Sequence, residues 1–578
     1  MSHAITDPMA DDVLPPAPGQ DDKKKKKKAD KQRGAWISFA GRIVAQVVGA
    51  IASVMLGVFV LQKSQAPAPG AANTAARRSA TDAVRTAATA RRPGEATLAV
   101  LPLANLSGRA DQEYFVEGMA EALTASLARV DGLRVISRTS TMRYKVDPPP
   151  IPEIARALGA DLVIEGSVLQ ADGNVRITAQ LIDGATDEHL WAQSYTRPLR
   201  DVIALQDAVA TAIATEIKGT VSRRPVAGAA GTAVDHPIDS AVYDLYLRGR
   251  HAWYQRTPEA LQTALDFFEQ AAKADPQFAL AQVGIADTYV LQNSPSMPLD
   301  VGRDRLDKAR QAALRALDLN GNLAEAHTAL AGVIFFGDRN LGDAEQKLRR
   351  AIELNPNYPV AHEWLGLLLG ELGRVDEALV HVDAAIRLDP FEATMYQARG
   401  MVQYNGRRYA DAIVSERRAL DLTPQLPLAR VLLAKAFVMA GRPAEALDDC
   451  RRVTDTVVDV DLRIVCVVAA TRAGQGELAK SLRAPIEQRA SMMGAALAQI
   501  DGGLGNFAAA WPRLRALADR GALPPVLLTD PLFEGLRREA PWSEILATHR
   551  ARRPVARMPP GPPPGAPPGA PPRPPSAN

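Results

Sequence analysis

Residues 356–390 read PNYPVAHEWLGLLLGELGRVDEALVHVDAAIRLDP, and units with this pattern recur along the middle of the chain. A proline or glycine closes each unit, and aligning the units on these residues gives spacings of 45, 35, 34 and 34 residues. A period of this length is typical of stacked helical pairs, because one pair alone cannot bury its apolar face. The aligned residues are Pro276, Gly321, Pro356, Pro390 and Pro424.

Two series of alanines run through the units at a constant offset. Within a unit the two alanines lie seven residues apart, which is about two helical turns, so both lie on one face of a helix. Small side chains on that face allow neighbouring helices to approach closely. The first series is Ala264, Ala309, Ala344, Ala378, Ala412 and Ala446, and the second is Ala271, Ala316, Ala351, Ala385 and Ala419.

The best-defined unit resembles the tetratricopeptide repeat. About five or six repeats account for residues 239–455, and an insertion near 293–301 explains the 45-residue step. Residues 456–550 are predicted to continue as degenerate helical repeats or as a cap. This part of the chain is therefore predicted to be an all-α tetratricopeptide-repeat solenoid. The residues that match the repeat pattern are Leu365, Gly366, Gly373, Glu377, Ala378, Ala385 and Pro390.

The resemblance implies that the first helix of each unit lines a concave groove for a protein or peptide partner. For each groove residue the alternative remains open that it only packs between helices. Met401 and Tyr404 lie three residues apart on one helix, so they are predicted to share an anchor patch. In the repeat register the side chains that face the groove are Glu363, Leu367, Gln397, Met401 and Tyr404.

Residues 95–220 predict a separate α/β (α+β) sandwich with a mixed sheet. The clearest element is a hairpin, in which strands 162–170 and 175–181 flank the turn sequence ADGN at 171–174. An Asp-Gly pair between alternating apolar residues is a strong hairpin signal. Further strands are predicted at 97–103, 133–136 and 189–195, and helices at 118–130, 151–158 and 201–218.

Several stretches of this segment resemble the TolB-amino-terminal-like (FlgO-like) domain of bacterial signalling proteins. The resemblance implies a non-catalytic module that commonly stands between a transmembrane helix and helical repeats. Proteins of this kind often carry a winged-helix, kinase or nucleotide-cyclase domain on the cytoplasmic side, for which residues 1–42 are expected to be too few. The matching stretches are residues 99–107, 113–115, 117–118, 138–140, 154–160, 165–168, 178–183, 189–192 and 201–207.

An uncharged run at residues 43–61, IVAQVVGAIASVMLGVFVL, follows six lysines, Lys23–Lys28. A helix of this length spans a hydrocarbon core of about 30 Å. The excess of Lys and Arg before the run predicts a single-pass protein of the bacterial inner membrane, with a cytoplasmic N-terminus and periplasmic C-terminal domains. A cleaved signal peptide is the alternative. Residues 1–42 would be a basic cytoplasmic tail whose lysines contact anionic lipid headgroups.

Two linkers and a tail separate these parts. Residues 62–94 are rich in Ala and Pro, residues 221–238 break the chain between the two folds, and residues 551–578 form a Pro-rich tail that is predicted to be disordered. Proline removes a backbone donor and fixes φ, so the tail should favour extended polyproline-type conformations. Such a tail either docks on an aromatic groove or serves as a spacer.

Composition and motifs argue against catalysis and nucleic-acid binding. The net charge is only +3 over 578 residues, and the chain has no Walker A, HExxH, GxSxG, CxxC or GxGxxG motif. We therefore expect no enzyme activity, no cofactor, no metal and no nucleic-acid partner, and we interpret His327, His362 and His381 as helix-packing residues. Cys450 and Cys466 either form a disulfide in an oxidising compartment or remain buried thiols. The sequence favours buried thiols.

The function predicted from the sequence is binding. The chain would act as a membrane-anchored periplasmic scaffold or sensor arm that recognises a polypeptide through its repeats. The alternative is a signal-input component related to membrane-bound regulators of the cyclase, kinase or winged-helix type, without an output domain of its own.

Overall fold

A computed structural model describes residues 95–130, 132–221, 238–292, 303–451, 453 and 460–552. The predicted basic tail, membrane-spanning run and first linker (1–94) lie outside the described residues. So do most of the second linker, the insertion near 293–301 and nearly all of the Pro-rich tail. Within the described part of the chain, no helix combines the length and the apolar character that a membrane span requires.

Residues 96–221 form a small domain built on a mixed sheet. Its strands are β1 (Ala96–Val100), β2 (Ala104–Asn105), β3 (Leu133–Val135), β4 (Leu162–Ala171), β5 (Asn174–Asp183) and β6 (His189–Pro198). Its main helices are α1 (Glu113–Leu127), α2 (Ile151–Leu158) and α3 (Val202–Val221). The strand order is β3-β1-β4-β5-β6, and the short β2 pairs with β4. Strand β1 is parallel to β3 and β4, whereas β4, β5 and β6 are antiparallel.

Strand β1 is buried on both faces because helices cover the sheet from each side. Leu98 packs in one apolar cluster with Leu123 of α1 and Ile213 of α3. The next residue, Ala99, faces the opposite side and packs in a second cluster with Ile154 of α2. A strand covered on both faces reads as a nearly continuous apolar run, which explains why Thr97 is the single polar residue of β1.

The hairpin between β4 and β5 confirms the turn predicted at residues 171–174. Ala171 and Asn174 are the last paired residues of the ladder, so a two-residue turn joins the strands. Both turn residues have positive φ, +51° at Asp172 and +75° at Gly173. This backbone is typical of the turn whose twist matches the flanking strands, and it explains why Asp-Gly occupies these positions.

Helical pairs follow one another from Ser240 to Cys450. After each aligned proline or glycine, the next helix begins three residues later, at Ala279, Ala324, Pro359, Ala393 and Pro427. The pairs are α4 (Ser240–Tyr254) with α5 (Pro258–Ala274), α6 (Ala279–Gln292) with α7 (Arg303–Leu319), α8 (Ala324–Gly332) with α9 (Leu341–Leu354), α10 (Pro359–Glu371) with α11 (Val375–Leu388), α12 (Ala393–Asn405) with α13 (Tyr409–Leu422), and α14 (Pro427–Met439) with the short α15 (Leu447–Cys450). Helix α8 continues as a π-helical turn, Val333–Asp338.

The aligned alanines confirm the predicted packing of the pairs. All eleven are buried, with at most 3 % of any residue exposed. Glycines serve the same close approach, since a Cβ added to Gly366 would lie only 2.5 Å from a methyl carbon of Val382 on the partner helix. The small residues therefore set how closely the two helices of a unit approach.

The helices continue beyond the predicted repeats. They are α16 (Val460–Arg472), α17 (Gly476–Gln488), α18 (Gly494–Leu504), α19 (Phe507–Ala518) and α20 (Pro541–Arg552), with short turns of helix at Val526–Thr529 and Glu534–Arg538. A disulfide joins Cys450 to Cys466 of α16. The sequence favoured two free thiols, which is wrong in this structure, because packing of α16 against the last repeat brings the two Cα atoms to 5.3 Å.

Candidate binding cavity

The sheet domain is held at the turns that connect successive repeats. At the first of these turns, the Asn357 side-chain amide donates hydrogen bonds of 2.8 Å to the carbonyl oxygens of both Ala128 and Leu133. Its Oδ1 accepts from the backbone N–H of Val135 at 3.2 Å. One asparagine therefore satisfies three backbone groups of the sheet domain.

The next turn along the solenoid makes a second set of contacts. The Ser137 N–H donates to the carbonyl of Leu388 at 2.7 Å. The Ser140 hydroxyl donates to the carboxylate of Asp389 at 2.5 Å and accepts from the backbone N–H of Phe391 at 2.9 Å. Two successive inter-repeat turns thus bind one edge of the sheet domain.

Helix α1 adds a third contact by packing against α4, the first repeat helix. Glu117 of α1 interacts with Arg138 and with His251 of α4, each at 2.9 Å. Burial raises the pKa of Glu117, but hydrogen bonds from His251 and Lys145 outweigh burial and hold its pKa at about 2. The carboxylate is therefore charged at neutral pH and binds groups from both parts of the chain.

These contacts enclose a cavity of about 1260 Å³ between the sheet domain and the solenoid. Its walls come from α1, from the first helices of the repeats and from the segment 521–530. The lining includes exposed residues near the C-terminal ends of the first helices, Arg339 and Asn405. The N-terminal ends of α10 and α12 lie at the turns that bind the sheet domain. The cavity therefore meets solvent at the edge of the solenoid away from that domain.

All five side chains predicted to face the groove border this one cavity: Glu363, Leu367, Gln397, Met401 and Tyr404. Glu363, Leu367 and Met401 are half-buried. Gln397 is only 7 % exposed, and its Oε1 has no hydrogen-bond partner among the described residues. The structure thus brings the five together, while a role in partner binding stays a prediction.

Tyr404 differs from the other four in its burial. Only 1 % of the residue is exposed, and its hydroxyl donates to the carboxylate of Asp530 at 2.7 Å. Lys435 lies 2.6 Å from the other oxygen of that carboxylate. The chain after α19 covers Tyr404, which the repeat register alone does not show. Tyr404 and Met401 therefore do not form one exposed anchor patch.

The same register, extended to the neighbouring units, finds cavity residues that the sequence analysis missed. Leu367 and Met401 follow their aligned prolines by eleven residues, and so do Asp287 and Lys435. Both Asp287 and Lys435 border the cavity. The periodic position was therefore an informative signal in four of the five units, whereas the equivalent Gly332 is not among the residues that line the cavity.

Carboxylates outnumber basic groups in the described lining. Nine Asp or Glu side chains border the cavity against six Arg or Lys side chains. Burial raises the pKa of Asp287 to about 7 and that of Glu363 to about 8. The carboxylates are Glu121, Asp207, Asp287, Glu325, Glu363, Glu371, Asp389, Glu392 and Asp530, and the basic residues are Arg129, Arg138, Arg250, Arg256, Arg339 and Lys435.

Aromatic side chains form much of the apolar wall. Trp364 meets Phe336 edge to face, with ring centroids 5.7 Å apart. The guanidinium of Arg256 lies 3.9 Å from the centre of the Trp253 ring. Half-buried aromatic rings with a polar edge are suited to a ligand that is both apolar and hydrogen-bonding. The half-buried aromatic residues are Tyr246, Trp253, Tyr254, Phe336, Tyr358 and Trp364.

The histidines singled out in the sequence make contacts typical of repeat packing. His327 bonds the carbonyl of Gly321 at 3.0 Å, and His362 bonds that of Pro356 at 3.1 Å. His362 also approaches His381, with 3.1 Å between the two Nδ1 atoms. Among the described residues, no three His, Cys, Asp or Glu side chains are placed to hold a metal ion.

Comparison with known proteins identifies tetratricopeptide repeats in the helical region. Sequence profiles of this repeat match residues 347–380, 365–427 and 400–456. In fold, the chain is similar to a thermophilic TPR protein of Thermus thermophilus (TM-score 0.29, 20 % identity, 34 % of this chain and 99 % of that one). It is also similar to PilW, a type IV pilus biogenesis factor (TM-score 0.31, 14 % identity, 37 % of this chain and 93 % of that one). The profile matches thus identify the helical region as a repeat scaffold of the kind that mediates protein interactions.

Two curated relatives are similar to part of the chain. Over 262 residues it is 34 % identical to putative adenylate cyclase 3 of Rhizobium meliloti strain 1021, covering 44 % of this chain and 42 % of that protein. Over 190 residues it is 25 % identical to the transcriptional regulator HilA of Salmonella typhimurium, covering 30 % of this chain and 31 % of that protein. The chain thus spans less than half the length of these relatives.

Proposed function

We propose that the chain is a membrane-anchored periplasmic scaffold or sensor arm that binds a polypeptide in the cavity. The observation that carries this proposal is the convergence of periodic positions from successive repeats on one space of about 1260 Å³. Sites for small ligands commonly measure about 300–1,000 Å³, so this cavity suits a larger guest. Its mixture of aromatic, acidic and basic walls favours a polypeptide over a purely apolar ligand.

Binding is proposed without turnover. The sequence has none of the nucleotide-binding, zinc-protease or serine-hydrolase motifs sought in it, and tetratricopeptide-repeat proteins are generally scaffolds. Affinity should therefore come from a few anchors spread over several repeats.

A direct test places a photo-reactive amino acid at Met401 in the cavity wall. We expect crosslinking to a polypeptide partner in membranes of the native host. Val380, which is 63 % exposed on the second helix of its repeat, provides the matched control position. Equal crosslinking from both positions would show that the cavity is not the binding surface.

Substitution provides a second readout for the same site. Because Tyr404 is buried, replacing both Met401 and Tyr404 would mix binding with stability. Met401→Ala alone should weaken partner capture while the melting temperature stays close to that of the unmodified protein. Unchanged capture would remove Met401 from the set of anchor residues.

The proposed location is supported by the disulfide and by the uncharged run. Disulfides persist in oxidising compartments such as the bacterial periplasm and are rare in the cytosol. Lys23–Lys28 would remain on the cytoplasmic side, where they would contact anionic lipid headgroups rather than nucleic acid. Alkaline phosphatase fused after residue 220 should then be active, and a fluorescent protein fused there should be dark. The opposite pattern would return the repeats to the cytoplasm.

The second candidate function is signal input to a cytoplasmic regulator. It is favoured by the two partial relatives, one named as a putative adenylate cyclase and the other as a transcriptional regulator. Under this alternative the cavity would still bind a polypeptide, and binding would be communicated to a cytoplasmic regulator. Neighbouring genes for a kinase, cyclase or regulator would favour it, whereas envelope or secretion genes would favour the scaffold.

A further inference from the structure

We propose that residues 553–578 of this chain occupy the cavity as an intramolecular ligand that a partner must displace. This inference rests on the proposed function, because it assigns the same cavity to both guests. The tail is thereby a built-in competitor that sets how tightly any partner must bind.

The position where the last described helix ends supports this assignment. Helix α20 ends at Arg552, and His549 within its last turn borders the main cavity. A smaller cavity of about 190 Å³ lies along the same helix and shares His549 and Leu528 with the main one. The segment that follows α20 therefore starts beside the cavity.

The length of the segment is sufficient to reach across the cavity. Residues 553–578 number 26, and a polyproline helix rises about 3.1 Å per residue, so the segment can extend to roughly 80 Å. Tethering also raises its effective concentration at the cavity into the millimolar range for a short flexible connection. Even weak contacts would then give substantial occupancy.

The composition of the segment fits the aromatic part of the wall. Twelve of its 26 residues are proline, which lack the backbone N–H and have fixed φ. Proline-rich segments bind grooves lined by aromatic side chains, because their extended conformation is already formed and little entropy is lost. Half-buried Trp253, Tyr254, Phe336 and Trp364 provide such rings here.

The arginines of the segment can pair with carboxyl groups of the cavity wall. Arg553, Arg557 and Arg573 are its charged side chains, and it contains no Asp or Glu. The described cavity lining has nine carboxyl groups and six basic side chains. Burial raises the pKa of Asp287, Asp389 and Glu363 to about 7 or 8, and a cationic guest beside them would favour their charged forms. Arginine also stacks on aromatic rings, as Arg256 already does on Trp253. Both features favour this segment over an acidic or purely apolar guest.

The test uses the whole purified chain with a photo-reactive amino acid at Met401, without any partner. Mass spectrometry of the crosslinked peptides should find adducts with residues 553–578. The control carries the same group at exposed Val380 and should give at least ten-fold fewer such adducts. Mixing light- and heavy-isotope protein shows whether an adduct forms within one molecule or between two.

A binding measurement adds an independent readout. A labelled peptide of residues 553–578 is titrated into the whole chain and into a chain ending at Arg552, whose folding is checked by circular dichroism. We expect the shortened chain to bind the peptide at least ten-fold more tightly, because the tethered tail no longer competes. A peptide with Arg557→Glu and Arg573→Glu should bind the shortened chain at least ten-fold more weakly.

Each outcome decides for or against the inference. Adducts only between differently labelled molecules would overturn the intramolecular assignment in favour of a second copy. Absence of tail adducts, or equal peptide binding by both chains, would overturn it as well. If the tail fails these tests while Met401 still crosslinks a partner, the proposed function stands. If Met401 crosslinks neither the tail nor a partner, the proposed function and the inference about the tail are both wrong.

Discussion

The side chain of Glu363 places an ionisable carboxyl group in a cavity wall that is partly apolar. Burial is the main cause that raises the pKa of Glu363 to about 8, and nearby Glu392 raises it further. Arg256 and a hydrogen bond with Thr394 act in the opposite direction. In an unfolded chain a glutamate titrates near pH ~4.3. Between these two values the folded protein retains a proton that the unfolded chain has lost.

This difference makes the stability contribution of Glu363 depend on pH. Stability falls with rising pH wherever the folded state binds more protons, so the loss should run from about pH 4 to about pH 8. Glu363→Gln cannot ionise and should lose less stability over this range. We therefore expect its melting temperature, relative to the unmodified protein, to be higher at pH 8.5 than at pH 5. The control is Glu353→Gln on α9, where the side chain is 65 % exposed; the same pH-dependent gain in both variants would contradict the explanation.

The identity of the cavity residues could be predicted from the sequence, but their ionisation could not. The repeat register predicts that Glu363 and Leu367 lie on the first helix of their unit. The same register, measured from the aligned prolines, also identifies Asp287 and Lys435. The raised pKa of Glu363 depends on enclosure of the cavity, to which α1 and the segment 521–530 contribute. Those parts lie far away in sequence, so no local pattern encodes them.

At the scale of single elements, Ala378 tests how closely the helices of a repeat approach. It is fully buried in the interface between α10 and α11. Ala378→Leu should lower the free energy of unfolding by roughly 1–3 kcal/mol, because added methylenes in a packed core force neighbours apart. Urea denaturation followed by circular dichroism measures the change.

Asp376 provides the control for this substitution, two residues away on the same helix. Its side chain is 90 % exposed and pairs with Arg408 at 2.5 Å. Exposed ion pairs contribute at most about 1 kcal/mol, so Asp376→Leu should have a small effect. Equal destabilisation by the two variants would refute the packing assigned to Ala378.

The disulfide links the last predicted repeat to the helices that follow it. Cys450 and Cys466 are 16 residues apart in sequence, and a loop of that length corresponds to a stabilisation of about 3 kcal/mol. Replacing both with alanine should therefore lower the melting temperature by several degrees. Reductant should lower the melting temperature of the unmodified protein and leave that of the variant unchanged. A reductant effect on both proteins would point to a cause other than this bond.

Strongly periodic elements could be predicted from the sequence, and weakly periodic ones could not. The repeat helices and the Asp-Gly hairpin follow from spacing and turn chemistry. Helix α1 was predicted at 118–130 but occupies Glu113–Leu127, because Tyr114, Phe115 and Val116 in its first turn are consecutive and show no helical spacing. The two-residue strand β2 and the π-helical turn Val333–Asp338 have no periodic signature at all. They form because tertiary neighbours fix their backbone.

At the scale of the whole molecule, the least predictable feature is the docking of the sheet domain on the solenoid. The two parts and the linker between them could be predicted from the sequence, but their relative orientation could not. The docking contacts join residues more than 200 positions apart, as between Asn357 and Leu133. Contacts between residues so far apart in sequence form only once the solenoid is folded. The folded solenoid places successive inter-repeat turns side by side.

Asn357 offers a way to measure this docking, because the preceding repeat contains its structural equivalent. Asn322 follows Gly321 as Asn357 follows Pro356. Both turns have the same local support, in which the backbone N–H donates at 3.0 Å to the side-chain oxygen of the asparagine two residues earlier. The two sites differ in that Asn357 lies under the sheet domain, whereas Asn322 is exposed.

Asn357→Ala should therefore weaken the attachment of the sheet domain, whereas Asn322→Ala should not. The first change leaves the Ala128 and Leu133 carbonyls and the Val135 N–H without the Asn357 side chain, which should cost roughly 2–4 kcal/mol if water does not replace it. The second change should stay within about 0.5 kcal/mol, as is usual for surface substitutions. Hydrogen exchange would then show faster opening of β3 and α1 in Asn357→Ala, with exchange in α16–α19 unchanged. If the two alanine variants exchange alike, the sheet domain is held mainly by Ser140 and by the packing of α1 on α4, and the asparagine is only part of the turn.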